Sequence, residues 1–383
     1  MYDWLIIGAG FTGSILAERI ASQLDQRVLV IDRRAYPGGD SFDYVNKAGI
    51  RVQPYGLQFV HTASRRVQRY LSQFTDWRTY AHHVQADLDG RRIPLPFNLT
   101  SLQMLFPAEQ AARLHRQLLC TFGIDARIGI RAMREQSSGE LRRLAEFIFD
   151  RIVRPSAIKE WGLLPIDLPE LVDRETVRVS FDARFSLDPF QAVPAGGFTP
   201  LFRRLLNHRN ITLQLRTDRR TLPSDVRYRR AICTGPIDEF FEYAHGPLPW
   251  RARRLQIRTI PAARFQESAQ VNCLGPEAWA RIIEFSHAQG TQPARTTIAR
   301  EFFGPHIPGK TEPSWPIPTA ASRAPLALYR RDAAKLGDSV IFAGRLAEFE
   351  NRDIAESVDH ALYLFERAIA PGYKRVGPIP DAA

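Results

Sequence analysis

Residues 4–13 read Trp-Leu-Ile-Ile-Gly-Ala-Gly-Phe-Thr-Gly, and the chain continues Ser14-Ile15-Leu16-Ala17-Glu18-Arg19-Ile20. A short apolar run stops at a glycine-rich turn and passes into helical spacing, which is strand, tight turn, helix. The three glycines do different things. Gly8 makes the turn, Gly10 lets backbone approach a pyrophosphate, and Gly13 lets the helix pack on the strand. The pyrophosphate would lie at the helix N-terminus, where free amides and the helix dipole favour negative charge. A second run, Arg27-Val28-Leu29-Val30-Ile31, ends in Asp32 about twenty residues beyond the turn, where an acid binds an adenosine ribose. The unit predicts a dinucleotide-binding α/β domain contacted by Gly8, Gly10, Phe11, Thr12, Gly13 and Asp32.

The whole chain has 383 residues, too many for one simple core, so two or three domains with shared interfaces are expected. Hydrophobic residues make up 44% and charged residues 24%, which gives no support to a disordered, fibrous or membrane-spanning chain. The formal charge is +11, carried almost wholly by Arg, whose planar guanidinium grips phosphate oxygens in pairs. A polyanionic ligand and an Arg-rich genome with a solvated surface both account for that excess. No basic run with interleaved aromatics appears, so small phosphorylated ligands explain the charge as well as nucleic acid would. Cys120, Cys233 and Cys273 are odd in number and far apart, fitting neither a disulfide framework nor a zinc spacing. With no leader pattern and no apolar stretch of spanning length, the expectation is a cytoplasmic protein.

Further along, Gly49–Phe59 reads as strand-like and Ser64–Phe74 as an amphipathic helix. Residues 79–95 alternate around Asp89-Gly90, a hairpin signal. Residues 107–153 read as mainly helical, with Leu144, Ala145, Phe147 and Ile148 on one side. Residues 176–194 and 250–302 read as strands of a mixed or antiparallel sheet. The Pro-rich stretch 305–325 reads as a connector. Ser339-Val340-Ile341-Phe342-Ala343 leads through Gly344-Arg345 to a helix over 354–369, returning to the grammar of the first domain, and the tail after Pro371 is expected to fray.

The segment Arg33-Arg34-Ala35-Tyr36-Pro37-Gly38-Gly39-Asp40 resembles the second glycine pair of FAD-binding oxidases and mutases. That favours FAD over NAD and adds Arg33, Gly39 and Asp40 to the cofactor contacts. Over nearly the whole chain, the order of motifs resembles UDP-galactopyranose mutases. Tyr55-Gly56-Leu57-Gln58-Phe59-Val60-His61-Thr62 resembles the segment beside the flavin, with His61 matching the second of two usual histidines and Gln58 replacing the first. Leu95-Pro96-Phe97-Asn98-Leu99 resembles a Pro-x-Asn-Leu segment, and Lys159-Glu160-Trp161-Gly162 the mobile loop whose Trp stacks on the base. A lone Trp outside that context is more often core or interface. Arg174-Glu175-Thr176-Val177-Arg178 and Arg281-Ile282-Ile283-Glu284 resemble the segments bearing the two diphosphate arginines. Pro194 to Phe202, Thr234-Gly235-Pro236-Ile237-Asp238, and Gly344-Arg345-Leu346 with Asp353 complete the match.

The resemblance implies a Rossmann-like FAD-binding domain (1–62, 195–245 and 318–383), an inserted helical domain (97–155) and an antiparallel-sheet substrate domain (63–96, 156–194 and 246–317). It implies an isomerase that interconverts pyranose and furanose forms of a nucleoside-diphosphate sugar through reduced FAD, whose N5 attacks the anomeric carbon. Arg174 and Arg281 would hold the diphosphate, with Arg345 and Asp353 at the flavin–sugar junction. His61 would orient the flavin region or handle protons, or be structural. Asn98, Trp161, Phe185, Trp315 and Asn351 would touch substrate, and Thr234, Gly344 and Arg345 the cofactor. A homodimer is the family expectation, with no nucleic-acid or membrane partner.

Several usual tyrosines are absent: Phe185, Asn351 and, by looser alignment, Ser156 and Trp315 stand in their places, while Phe190 and Phe198 replace Tyr elsewhere and Asp40 replaces Asn. Each lost phenol forfeits roughly 1.5–3 kcal/mol of charge-assisted hydrogen bonding. Different ligand handling follows, such as a GDP- or dTDP-linked hexose or deoxyhexose. One alternative keeps the fold but places a divalent metal on the diphosphate near Asp40, Glu350 or Asp353. Another is an amine-oxidase-like flavoenzyme, which would leave the paired Arg segments and the Trp161 loop unexplained.

Overall fold

The computed structural model describes residues 1–168, 172–173, 175–290 and 293–371. Five parallel strands form the first sheet, in the order Ile211–Leu215, Val28–Asp32, Tyr2–Ile7, Tyr228–Cys233, Val340–Phe342. Tyr2–Ile7 is central, and its continuous apolar run is what a strand covered on both faces requires. Ile6 and Val30 face a core shared with helices Phe11–Leu24, Phe198–Leu205 and Ile354–Leu364, while Leu5, Leu29 and Ile31 fill the opposite face. Because the strands are parallel, their carboxyl ends Ile7, Asp32, Cys233 and Phe342 open at one edge of the sheet. In such sheets ligands bind there.

A second, seven-stranded sheet runs Pro313–Pro316, Trp250–Ile260, Thr296–Pro305, Arg281–Glu284, Gln270–Cys273, Val84–Leu88, Arg91–Leu95. It is antiparallel except where Gln270–Cys273 lies parallel to Val84–Leu88, so the sheet is mixed. The hairpin predicted at Asp89-Gly90 is present, with φ of 54° and 81° at those residues. Ala86, Leu88 and Ile93 of this sheet pack under helices Ala108–Phe122 and Gly139–Ile148 in one apolar cluster.

The 107–153 segment is mainly helical, as expected, with one short strand, Arg127–Gly129, paired antiparallel with Thr176–Arg178 and held by burial of Ile128 and Val177. Two expectations need correction. Residues 176–194 do not join the large sheet, since Phe190–Pro194 instead pairs with Val60–Thr62 and Trp77–Thr79. The 305–325 stretch is structured: Pro313–Pro316 is an edge strand, where proline's missing N–H costs no ladder bond, and helix Ala320–Lys335 already contains Pro325. The helix expected over 354–369 is present, as Ile354–Leu364 continued by a wider turn at Phe365–Ile369. Tail residues 372–383 lie outside the described residues.

Candidate active site

At the carboxyl edge of the parallel sheet the chain forms a cavity of about 540 Å³. Its floor is made by the turns leaving four strands. Gly8 has φ of 109°, and a Cβ there would lie 2.1 Å from Thr234 Oγ1, a hydroxyl that donates to the Ile7 carbonyl at 2.9 Å. Gly10 and Gly39 approach so closely that a Cβ on Gly39 would stand 3.3 Å from the Gly10 Cα. Two loops therefore meet backbone to backbone, leaving a bare channel above the N-terminus of helix Phe11–Leu24, whose first turn carries no side-chain cap. Uncapped amides on a 14-residue helix at a bare glycine surface suit a pyrophosphate. Asp32 accepts from Ala9 N and Arg34 N, both at 2.8 Å, which fixes its carboxylate at the strand end with lone pairs to spare. Phe11, Thr12, Arg33 and Gly344 also line the cavity. Gly13 does not; it lies where a Cβ would be 1.9 Å from the Gly8 carbonyl oxygen, so it serves packing. This cradle fits a dinucleotide cofactor.

The cavity wall facing the second sheet is ionic. Asp40 lies 3.1 Å from Arg34 Nη2, 3.0 Å from Arg345 Nη2 and 3.5 Å from Arg253 Nη2. Burial alone would raise the Asp40 carboxyl, but the three guanidiniums outweigh it and hold it below the usual carboxylate range. Arg34 also pairs with Glu312 and lies over the Tyr55 ring at 4.2 Å, while Arg253 lies over Trp315 at 4.4 Å and reaches Glu301 at 3.5 Å. Arg345 donates to the Ser314 carbonyl besides Asp40, and burial lowers its affinity for a proton. Sequence reasoning misses Arg34 and Arg253 as members of this wall. Arg34 lies inside the glycine-pair motif, which points to it only as a neighbour of Asp40, and Arg253 has no local signal.

His61 also lines the cavity, between two carboxylates. Its Nδ1 is 2.7 Å from Asp188 Oδ2 and its Nε2 is 3.7 Å from Asp353 Oδ2. Ser186 Oγ donates to the same Asp188 oxygen at 2.9 Å and fixes its rotamer. Asp353 is the N-cap of helix Ile354–Leu364 in a capping box with Glu356, and burial raises its carboxyl above the ordinary range. Phe59 and Phe185 pack around His61 at ring-centroid distances of 5.5 and 6.3 Å. Asp188 carries no sequence signal.

Other predicted residues lie elsewhere. Asn98 is buried at 1% exposure and caps helix Leu99–Leu105, its Oδ1 accepting from Thr100 N and Ser101 N. It does not line the cavity; the Pro-x-Asn-Leu pattern with Ser101 three residues on is a helix start. Asn351 donates to the Pro316 carbonyl at 3.3 Å and also lies outside the lining. Trp161, at the end of helix Arg154–Trp161, stands one ring beyond the cavity wall, 6.4 Å from Trp315, which does line it. Arg281 is held by Glu160 Oε2 at 2.6 Å and Glu301 Oε2 at 3.1 Å, behind the wall rather than on it. Arg174 lies outside the described residues. Among the described residues no three His, Cys, Asp or Glu side chains converge as a metal-ligand group.

Comparison with known proteins accounts for both halves of this site. Residues 6–74 match the NAD(P)-binding Rossmann-like domain family, and residues 151–351 match the UDP-galactopyranose mutase family. The chain is 26% identical to a probable UDP-galactopyranose mutase of Klebsiella pneumoniae over 94% of its own length and 92% of that protein's. It is 25% identical to a dTDP-fucopyranose mutase of Escherichia coli, over 94% and 96%. A crystal structure of reduced UDP-galactopyranose mutase superposes with a TM-score of 0.69 at 15% identity, covering 95% of this chain and 96% of that one. The second match spans more than half of the chain and takes in Arg281, Arg345 and the ionic wall from Arg253 to Trp315: this protein belongs to the UDP-galactopyranose mutase family and is an isomerase.

Proposed function

We propose that this protein interconverts the pyranose and furanose forms of a nucleoside-diphosphate hexose or deoxyhexose, with FAD in the glycine cradle. One observation carries the reading: the cradle formed by Gly8, Gly10 and Gly39 and the wall bearing His61, Arg345, Arg253 and Trp315 face a single cavity. A cofactor lying along the first would present its far end to a sugar held by the second.

When reduced, flavin there supplies an electron-rich centre able to attack an anomeric carbon. Arg281 and Arg174 bind the diphosphate and stabilise the charge that develops as it leaves. Arg345, pinned by Asp40 and the Ser314 carbonyl, orients the sugar with little freedom to lose. His61 holds or moves the proton of a sugar hydroxyl at Nε2 as the ring opens and recloses, its Nδ1 fixed by Asp188. Trp161 stacks on the base and, with Trp315, closes that end of the cavity to water. Phe185 stands where a phenol is usual, so phosphate binding falls more heavily on guanidiniums. That suits a relaxed nucleotide preference, and we include the dTDP-linked deoxyhexose class on which the Escherichia coli relative is named to act. A homodimer and a cytoplasmic location are proposed on family membership.

The test is the visible spectrum of the purified protein before and after dithionite, followed by assays with UDP-galactopyranose and dTDP-fucopyranose. Stoichiometric flavin with furanose formed only after reduction is expected. A colourless protein that isomerises only with a divalent cation would replace this reading with the metal-assisted one.

A further inference from the structure

The turn Lys159–Gly162 is tied to the second sheet through three consecutive side-chain or backbone contacts. Lys159 Nζ donates to the carbonyls of Cys273 at 2.7 Å and Trp279 at 3.2 Å. The Glu160 carbonyl accepts from Arg251 Nε at 2.8 Å, and the guanidinium of Arg251 lies so close over Gly162 that a Cβ there would be 2.8 Å from Nη1. The Glu160 carboxylate takes Arg281 Nη2 at 2.6 Å. The first two ties use backbone carbonyls, so neither depends on the side chain at position 160. The third is specific to an acidic residue there and engages the cation that the proposed function assigns to the diphosphate.

Arg281 thus pairs directly with two carboxylates, Glu160 and Glu301, with a third, Glu175, near enough to act on it through charge and itself held toward the neutral form by burial and by Glu160. In front of it, the cavity wall sets Arg34, Arg253 and Arg345 against Asp40, Glu301 and Glu312, so it too has carboxylates close to its cations. A diphosphate brought to Arg281 without any rearrangement would be the third anion on one guanidinium, in a partly buried site where like charges cost most. One carboxylate has to leave. Glu301 is fixed: it sits within strand Thr296–Pro305, paired in register with Arg281 on one side and Leu255 on the other, and its side chain is 2% exposed. Glu160 is at the last turn of a helix, two residues from a glycine with φ of 70°, and its side chain is 27% exposed.

We propose that Glu160 is a displaceable counter-ion: its carboxylate holds the place on Arg281 that a phosphate of the sugar nucleotide takes, so substrate entry exchanges one anion for another. The exchange sets substrate affinity. This inference rests on the proposed function, because it takes Arg281 as a phosphate ligand. It names Glu160 as a specificity-setting residue that penalises ligands with no phosphate strong enough to displace it.

The test uses the full-length protein and two probes, inorganic pyrophosphate and UDP, titrated by calorimetry against the parent and the Glu160→Gln, Glu160→Asp and Arg281→Ala variants. Gln keeps the size and hydrogen-bonding reach of Glu without the charge, so it is expected to bind both probes about tenfold more tightly, the size of one charge-assisted contact. Asp restores the charge and should return affinity toward the parent. In the Arg281→Ala background the Gln substitution should give no gain. Unchanged or weaker pyrophosphate binding by Glu160→Gln overturns the proposal, and so does a gain that survives loss of Arg281. Failure of the function is separate: a protein whose Glu160→Gln variant shows the gain but which isomerises no sugar nucleotide keeps this exchange and loses the proposed reaction. One that isomerises while showing no gain keeps the reaction and loses the exchange.

Discussion

Replacing Asp40 by Asn removes the carboxylate shared by Arg34, Arg253 and Arg345 at 3.1, 3.5 and 3.0 Å. At an effective dielectric of about 20, each such pair carries roughly 4 kcal/mol of Coulomb energy, offset by the cost of keeping the ions from water. Arg34 retains Glu312 and Arg253 retains Glu301, so their net loss is small. Among the described residues Arg345 retains only the Ser314 carbonyl and becomes the uncompensated cation. Loss of one partner from a buried pair costs about 3–5 kcal/mol, and the lower end applies because Asn can still accept one hydrogen bond. A destabilisation of about 3 kcal/mol corresponds to a fall in Tm of roughly 4 °C for a chain of 383 residues, whose unfolding entropy is about 2.1 cal/mol/K per residue. The sign with pH follows from the depressed carboxyl: its contribution is complete above the unfolded carboxylate pKa and disappears as pH falls through the lower folded value. D40N should therefore lose stability near neutral pH and converge on the parent in strong acid. Thermal denaturation at several pH values measures both effects. A Tm within about 1 °C of the parent at neutral pH would refute the claim that Asp40 organises the wall.

Other consequences can be checked on the same protein. G39A places a methyl group 3.3 Å from the Gly10 Cα at a residue with φ of 56°, so purified protein should lose bound flavin; stoichiometric yellow protein would contradict the cradle. D188N removes the negative charge at His61 Nδ1, leaving only a neutral amide there, and should lower kcat about tenfold or more with a displaced pH profile, whereas an unchanged profile would leave His61 a structural residue. Glu284 is fully buried, and although burial opposes its ionisation, His287, Thr296 and two backbone amides hold its carboxyl down to about 2. E284Q should therefore cost on the order of 2–3 kcal/mol near pH 7, an effect fading between about pH 4.5 and 2, and its absence in acid-denaturation curves would count against that network. Asn98→Ala removes a helix cap and should lower stability by about 1 kcal/mol without altering KM, while a KM effect at unchanged stability would restore Asn98 to the substrate site.

The parts of this protein that can be read in the sequence are those whose physics is local. Gly8 to Gly13 and Asp32 lie within one strand-turn-helix-strand unit, where backbone torsion and close approach dictate residue type at fixed spacing. Asp89-Gly90 is legible for the same reason. Asn98 is local too, but its partner Ser101 marks a capping box that a resemblance to a substrate segment conceals. The ionic wall is different in kind, because Asp40 meets Arg253 and Arg345 at separations of 213 and 305 residues. No spacing rule joins such residues: the return of the chain to the first sheet at Val340–Phe342 brings Arg345, and strand Trp250–Ile260 of the second sheet brings Arg253. The prolines at 313 and 316 mislead for a related reason: they forbid a central strand but not an edge strand, and which edge is free is a property of the sheet, not of the segment. The same distinction bears on the missing phenols. Phe185 packs against His61, Phe59 and His82, and burial pushes His82 down to about 3, so it stays neutral. The wall around Phe185 is thus largely aromatic, and the guanidiniums stand on the part organised by Asp40. The cavity thus presents aromatic rings on one side and guanidiniums on the other. On the proposed function, a phosphate held by guanidiniums would need no phenol from the Phe185 side, while Arg345 and His61 would remain the polar contacts to the sugar.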